Sequence, residues 1–245
     1  MALPPTADQR NSNASAILPV LRSRKEAKQL YDSISIFYDY LTMAFERKYA
    51  EKALDRLSIA KGEAVLEIGF GTGHCLKRIA EAIGQTGKAY GVDISSGMLE
   101  VTKRRLERAG LMDKAELCCG DAMNLPYRDS AFNAVFMSFT LELFDTPEIP
   151  IVLSQIKRVL KPEGRFGVAS ISREDGGSML LRLYEWIHKK WPKYVDCRPI
   201  YVEQSLRNAE YDIRVKEKVR LFGLPGEIVV AVKGRRQRGP PEEGA

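Results

Sequence analysis

Ala64-Val65-Leu66-Glu67-Ile68-Gly69-Phe70-Gly71-Thr72-Gly73-His74 is the stretch from which the fold can be read. Alanine, valine, leucine and isoleucine flank one acid over five residues, the apolar run expected of a strand covered on both faces in a parallel sheet. Glycines at alternate positions follow, where the backbone can take left-handed conformations and a ligand can lie against bare main chain. Leu76, Ile79, Ala80 and Ile83 then return at helical intervals. The stretch therefore predicts a strand, a tight turn and a helix.

Two ligand classes use such a turn, and charge chooses between them. A dinucleotide calls for G-x-G-x-x-G, with its pyrophosphate at the positive helix N-terminus. Here the third glycine comes one residue early, at Gly73, and His74 stands in its place. Glu67 ends the strand, where it would repel a pyrophosphate by about 4 kcal/mol per charge pair at 4 Å and an effective dielectric of about 20. A cationic ligand suits the same position. S-adenosylmethionine, with an ammonium, a sulfonium and a single carboxylate, satisfies both conditions. The E-x-G-x-G-x-G pattern resembles the first motif of the class I S-adenosylmethionine-dependent methyltransferases. That resemblance implies an α/β, Rossmann-like fold: a seven-stranded, mostly parallel sheet with helices on both faces and an antiparallel last strand. Glu67, Gly69, Gly71 and Gly73 then become cofactor-binding positions.

Further motifs follow in the order the family uses. Lys88-Ala89-Tyr90-Gly91-Val92-Asp93 reads as a second strand. Its terminal acid lies near the offset at which a carboxylate meets a ribose diol. Such a diol belongs to NAD as well, so Asp93 marks a nucleoside without separating the two. Ile94-Ser95-Ser96-Gly97-Met98 resembles the family's continuation, with Ile94 and Met98 available to sandwich an adenine and a serine capping the next helix. Ala115 to Cys119 reads as a third strand ending in Gly120-Asp121-Ala122-Met123-Asn124-Leu125-Pro126. By resemblance, Asp121 accepts from the adenine amino group and the Ala122 N–H meets the ring. Ala131 to Ser138 makes the fourth strand, with Ser138 at the cofactor and Phe139 facing the acceptor. Asn133 stands where family members carry an acid, a departure expected to weaken only a structural contact. Leu160-Lys161-Pro162-Glu163-Gly164 resembles the turn before the fifth strand, with Glu163 replacing a glycine. Val152 to Leu160 reads as a helix, and so does Val202 to Ala209. Asp212 to Leu221 and Glu227 to Lys233 form the terminal hairpin, turned by Leu224-Pro225-Gly226.

The segment Tyr31-Asp32-Ser33-Ile34-Ser35-Ile36-Phe37-Tyr38-Asp39-Tyr40-Leu41 resembles an element that precedes the nucleotide fold in the ubiquinone/menaquinone-biosynthesis type of these enzymes, where an N-terminal helix covers the cofactor. Tyr31 would then meet the cofactor, and Tyr38 the substrate. Ile34, Phe37, Tyr38 and Leu41 also form one packing stripe at helical spacing. Leu180, Leu183, Tyr184, Ile187 and Trp191 make a second stripe after the fifth strand, where the family inserts its substrate cover. Tyr184 is the third acceptor-side candidate. The domain plan is a tail over 1–24, one domain over 25–233 with a helical cap at 25–60 and a cover at about 172–200, and a tail over 234–245.

Composition sets the remaining bounds. The chain has 245 residues and a net charge of +6 from 38 Lys+Arg and 32 Asp+Glu, too small an excess to indicate nucleic-acid binding. The four cysteines and two histidines show no metal-ligand spacing, so no metal is expected. Neither a leader nor an apolar run of membrane-spanning length is visible, which points to a cytoplasmic protein with reduced thiols. Lys189-Lys190-Trp191-Pro192-Lys193-Tyr194 offers a weak peripheral contact for anionic lipid. The expected activity is methyl transfer to a small hydrophobic or aromatic acceptor, quinone-like or lipid-related. An NAD-dependent oxidoreductase and a non-catalytic S-adenosylmethionine-binding protein are the alternatives. The sequence assigns no catalytic residue, and Tyr38, His74, Glu142 and Tyr184 are the titratable side chains it places near the site. Oligomeric state is not legible in it.

Overall fold

A computed structural model describes residues 43–173, 198–221 and 223–234. The tails, the 25–42 part of the helical cap and almost all of the cover at 172–200 lie outside the described residues. The elements in chain order are α1 (Met43–Leu57), β1 (Ala64–Ile68), α2 (His74–Ala82), β2 (Lys88–Asp93), α3 (Ser96–Arg108), β3 (Ala115–Cys119), β4 (Phe132–Ser138), α4 (Ile149–Val159), β5 (Leu160–Ile171), α5 (Val202–Asn208), β6 (Tyr211–Leu221) and β7 (Leu224–Lys233).

The seven strands form one sheet in the order β3-β2-β1-β4-β5-β7-β6. β1 pairs in parallel with β2 and β4, β2 with β3, and β4 with β5. β7 alone runs against its neighbours, β5 and β6. The expected sheet, with its antiparallel last strand, is the one observed.

Two apolar cores lie on opposite faces, and alternation along β1 assigns its residues to them. Val65 joins Leu54, Leu57, Leu76, Ile79 and Leu106 from α1, α2 and α3. Leu66 and Ile68 join Val152, Ile156, Val202 and Leu206 from α4 and α5. Glu67 therefore shares the Val65 face, beneath α1 and α2. The burial of Ile149, Val152, Leu153, Ile156 and Val159 shows why α4 forms. Their spacing lays one stripe on the sheet, and each such side chain contributes about 1.5–3 kcal/mol relative to exposure.

α4 begins at Ile149, three residues before the expected start, because Pro150 tolerates the first turn, where its missing N–H would have no partner. Leu224-Pro225-Gly226 is not the hairpin turn. These residues open β7, and Gly223, at φ 83°, takes the turn position. Pairing of β7 on both edges overrides the local turn preference, and Pro225 survives at the strand's first residues, where its missing N–H is tolerated. Asn133 shows why an acid is dispensable there. Its amide oxygen accepts from Ala64 N at 3.0 Å and from Lys161 Nζ at 2.8 Å. Arg165 on β5 anchors the end of α1, donating to Leu57 and Ser58 carbonyls and pairing bidentately with Glu63 at 2.8 and 2.7 Å.

Candidate active site

Parallel strands β1, β2, β3 and β4 all end at one edge of the sheet, beside the point between β1 and β4 where strand order reverses. Open α/β sheets bind ligands there. The ends of these strands and the segments that follow them carry the candidates from Glu67 to Phe139.

Gly69, Gly71 and Gly73 all have positive φ, at 71°, 51° and 76°, and their surroundings give them different work. A Cβ on Gly73 would stand 2.4 Å from Thr102 Cγ2, so this glycine lets α3 close on the turn. A Cβ on Gly71 would meet no described residue within 4 Å. Bare main chain at Gly71 faces open space. Thr102 Oγ1 donates to Gly71 O at 2.8 Å and fixes the turn from behind.

Asp93 holds the same turn from the β2 side. Its Oδ2 accepts from Gly71 N and its Oδ1 from Ser95 N, each at 2.9 Å. The acid expected at a ribose thus also ties the glycine turn to the start of α3. Ser95 in turn caps that helix, accepting from Met98 N at 3.1 Å. Met98 is buried at 3% exposure and Ile94 is half-buried. Asp121 accepts from Met123 N at 2.9 Å, capping a short turn that buries Ala122. Ser138 is half-buried at the last position of β4. Phe139 has φ 50° and is buried at 7% exposure, its N–H donating to Ala169 O at 2.8 Å. A bulky side chain in the left-handed region costs about 1–3 kcal/mol, and such strain clusters at functional sites. Tyr31, Tyr38 and Tyr184 lie outside the described residues.

Glu67 carries the site's electrostatics. It is 2% exposed, and its Oε2 is buried without a hydrogen-bond partner among the described residues. Burial, reinforced by the Asp93 carboxylate, pushes its pKa well above the usual carboxylate value. A raised native pKa means the folded state holds this proton more tightly than the unfolded chain. The resulting stability is complete below about pH 4.3, where an unfolded glutamate is also protonated, and is lost as pH rises through the native value. Thermal unfolding of the free protein against pH should show this loss, and Glu67→Gln should remove that component.

Two sequence candidates for proton transfer are otherwise engaged. His74 Nε2 meets Glu51 Oε1 at 2.8 Å, linking α2 to α1, and burial lowers its pKa against the opposing pull of Glu51. Glu142 is fully buried and accepts from Ile171 N at 3.2 Å, tying the loop after β4 to the end of β5. Thr102 and Thr140 escaped the sequence reading. Thr140 fills the space where a Gly69 Cβ would stand, at 2.4 Å, and donates to Ser138 O at 2.9 Å. A single threonine on a helix or loop carries no local sign of either contact.

A buried carboxylate with an oxygen left unpartnered among the described residues, the open side of Gly71 and the half-buried Ile94 fit a nucleoside with a cationic amino-acid arm. The Asp93 carboxylate disfavours a pyrophosphate, and the buried Glu67 brings it no cation. Residues 65–164 match the family model described as a methyltransferase domain. The chain is 29% identical over 236 residues to demethylmenaquinone methyltransferase of Symbiobacterium thermophilum, covering 86% of this chain and 93% of that protein. It is 33% identical over 150 residues to the enzyme of the same name from Geobacillus stearothermophilus, covering 59% of this chain but only 63% of that protein. Among solved structures, the [4+2]-cyclase SpnF superposes with a TM-score of 0.71 at 22% identity, over 89% of this chain and 98% of that one. An S-adenosylmethionine-dependent methyltransferase from Aquifex aeolicus gives 0.60 at 23%, over 82% and 97%. These two likenesses speak to the fold alone.

Sequence motifs, site and relatives together make the chain a class I S-adenosylmethionine-dependent methyltransferase. Within that class the relatives it resembles are demethylmenaquinone methyltransferases.

Proposed function

We propose that the chain transfers the methyl group of S-adenosylmethionine to a small, hydrophobic, quinone-like acceptor. The observation that carries this reading is the likeness to a demethylmenaquinone methyltransferase over 93% of that protein's length. The buried Phe139, at the edge where β4 ends, supports it.

In this reading the glycine turn receives the methionine part of the cofactor, with Gly71 as the bare surface and Glu67 opposite its ammonium. Asp93, which also holds Gly71 N and Ser95 N, takes the ribose hydroxyls. Ile94 and Met98 flank the adenine, and Asp121 and Ala122 meet its edge. Ser138 lies beside the cofactor, and Phe139, Tyr38 and Tyr184 line the acceptor side. The cofactor when bound supplies an activated electrophilic methyl. What the chain must add is orientation of the acceptor and exclusion of water, and such ordering is worth up to about 7–11 kcal/mol of barrier. His74 and Glu142, engaged in packing, are not assigned as bases. Location in the cytoplasm and light contact with anionic membranes through residues 189–194 belong to the same reading; no helix among the described residues is long and apolar enough to cross a membrane.

Methylation of a demethylated menaquinol and of a soluble polar amine, each with labelled cofactor, tests the acceptor class. Label is expected in the quinol alone. Label only in the amine contradicts the proposal, and cofactor binding without turnover on any acceptor favours a non-catalytic binder. Asp93→Asn should weaken adenosylhomocysteine binding by about 1–3 kcal/mol, because the ribose hydroxyls and the turn lose a charged acceptor. Unchanged affinity by calorimetry in the folded variant would place the ribose elsewhere.

A further inference from the structure

Glu67 is a buried carboxylate at the glycine turn, and one of its oxygens finds no hydrogen-bond partner among the described residues. That oxygen is Oε2, and the side chain is 2% exposed. It lies beneath α1 and α2, on the β1 residue just before the turn. Among the described residues, two titratable neighbours bear on it. Asp93 from β2, fixed by Gly71 N and Ser95 N, adds like charge. Cys75 from α2 is buried at 6% exposure, and burial pushes its thiol well up, so it is neutral and brings no positive charge. Among the described residues, no cation is a resolved influence on Glu67. An isolated buried carboxylate in that setting takes a proton rather than remain charged.

We propose that Glu67 is a neutral carboxylic acid in the free protein and gives up its proton when the cationic ammonium of the cofactor binds, so that cofactor capture is an exchange of one cation for another. On binding, the Glu67 O–H bond breaks, its electron pair stays on the carboxylate oxygen, and the proton passes to solvent buffer. The new carboxylate is matched by the incoming ammonium, and the net charge of the pocket is unchanged. Ligands of the same shape that lack the ammonium cannot make the exchange, which makes Glu67 a selector for the amino-acid arm. Affinity then depends on pH through one proton. The proposal rests on the cofactor reading above and goes beyond it.

The test is calorimetric titration with adenosylhomocysteine, which keeps the ammonium, in two buffers of different ionisation enthalpy. The range runs from about pH 5 to about pH 7, below that in which an α-amino group titrates. Release approaching one proton per ligand is expected at the acid end of the window, with affinity rising by up to about tenfold per pH unit. Glu67→Gln should release none and should show a flat pH profile. Infrared difference spectra of the wild-type protein supply a second readout if that variant fails to fold: the C=O band of a protonated carboxyl should disappear on binding. Buffer-independent heats in the wild type, equal proton release by Glu67→Gln, or an unchanged carboxyl band would each overturn the proposal. Absence of any binding would instead overturn the cofactor reading along with it.

Discussion

Gly71→Val should leave a folded protein that binds adenosylhomocysteine at least about a hundredfold more weakly, a loss of about 2.7 kcal/mol or more. The reason lies in what surrounds this glycine. A Cβ there meets no described residue within 4 Å, so the described fold has room for a side chain. The backbone sits at φ 51°, which costs a substituted residue about 1–2 kcal/mol of stability. What the side chain would fill is the open space against which the ligand must lie. Thermal unfolding should therefore show a modest drop in midpoint while titration shows almost no binding. Near-normal affinity in the variant would mean that the ligand does not pass over this turn.

Gly73→Ala should fail in the opposite way, by losing stability. Its Cβ would stand 2.4 Å from Thr102 Cγ2 and 2.6 Å from Thr102 Oγ1, with φ at 76°. Overpacking of this kind costs about 1–3 kcal/mol and the left-handed backbone about 1–2 more, so about 2–5 kcal/mol in all is expected in denaturant unfolding. Thr102 also donates to Gly71 O, so the displaced side chain disturbs the turn it supports. Combining the substitution with Thr102→Ala should recover part of the loss, because the two changes meet at one contact and will not add. Strict additivity of the two losses would show that Thr102 is not the obstacle.

The contrast between these glycines shows what the sequence could and could not reveal. β1, β2 and β3 were legible to the residue, because each is a short apolar run closed by a glycine or an acid at the sheet's edge. The order of motifs carried the rest of the sheet. Within the turn, all three glycines look alike in sequence. Only packing distinguishes Gly73, pressed by Thr102, and Gly69, pressed by Thr140, from the open Gly71. Asp93 was legible as a site acid, but its grip on Gly71 N spans 22 residues of sequence and leaves no local trace. Glu142 reads as an available base and is instead sealed against Ile171 N, since burial is decided by the loop's return to the sheet. Pro225-Gly226 reads as a turn and forms strand, since pairing on both edges of β7 outweighs local preference.

The central claim is that the acid and the glycine turn together make a site for a cationic nucleoside rather than for a dinucleotide. Calorimetric titration of the wild-type protein with adenosylhomocysteine and, separately, with NAD tests it most directly. Saturable binding of adenosylhomocysteine and no heat of binding from NAD are expected. Tight NAD binding with no response to adenosylhomocysteine would contradict the account.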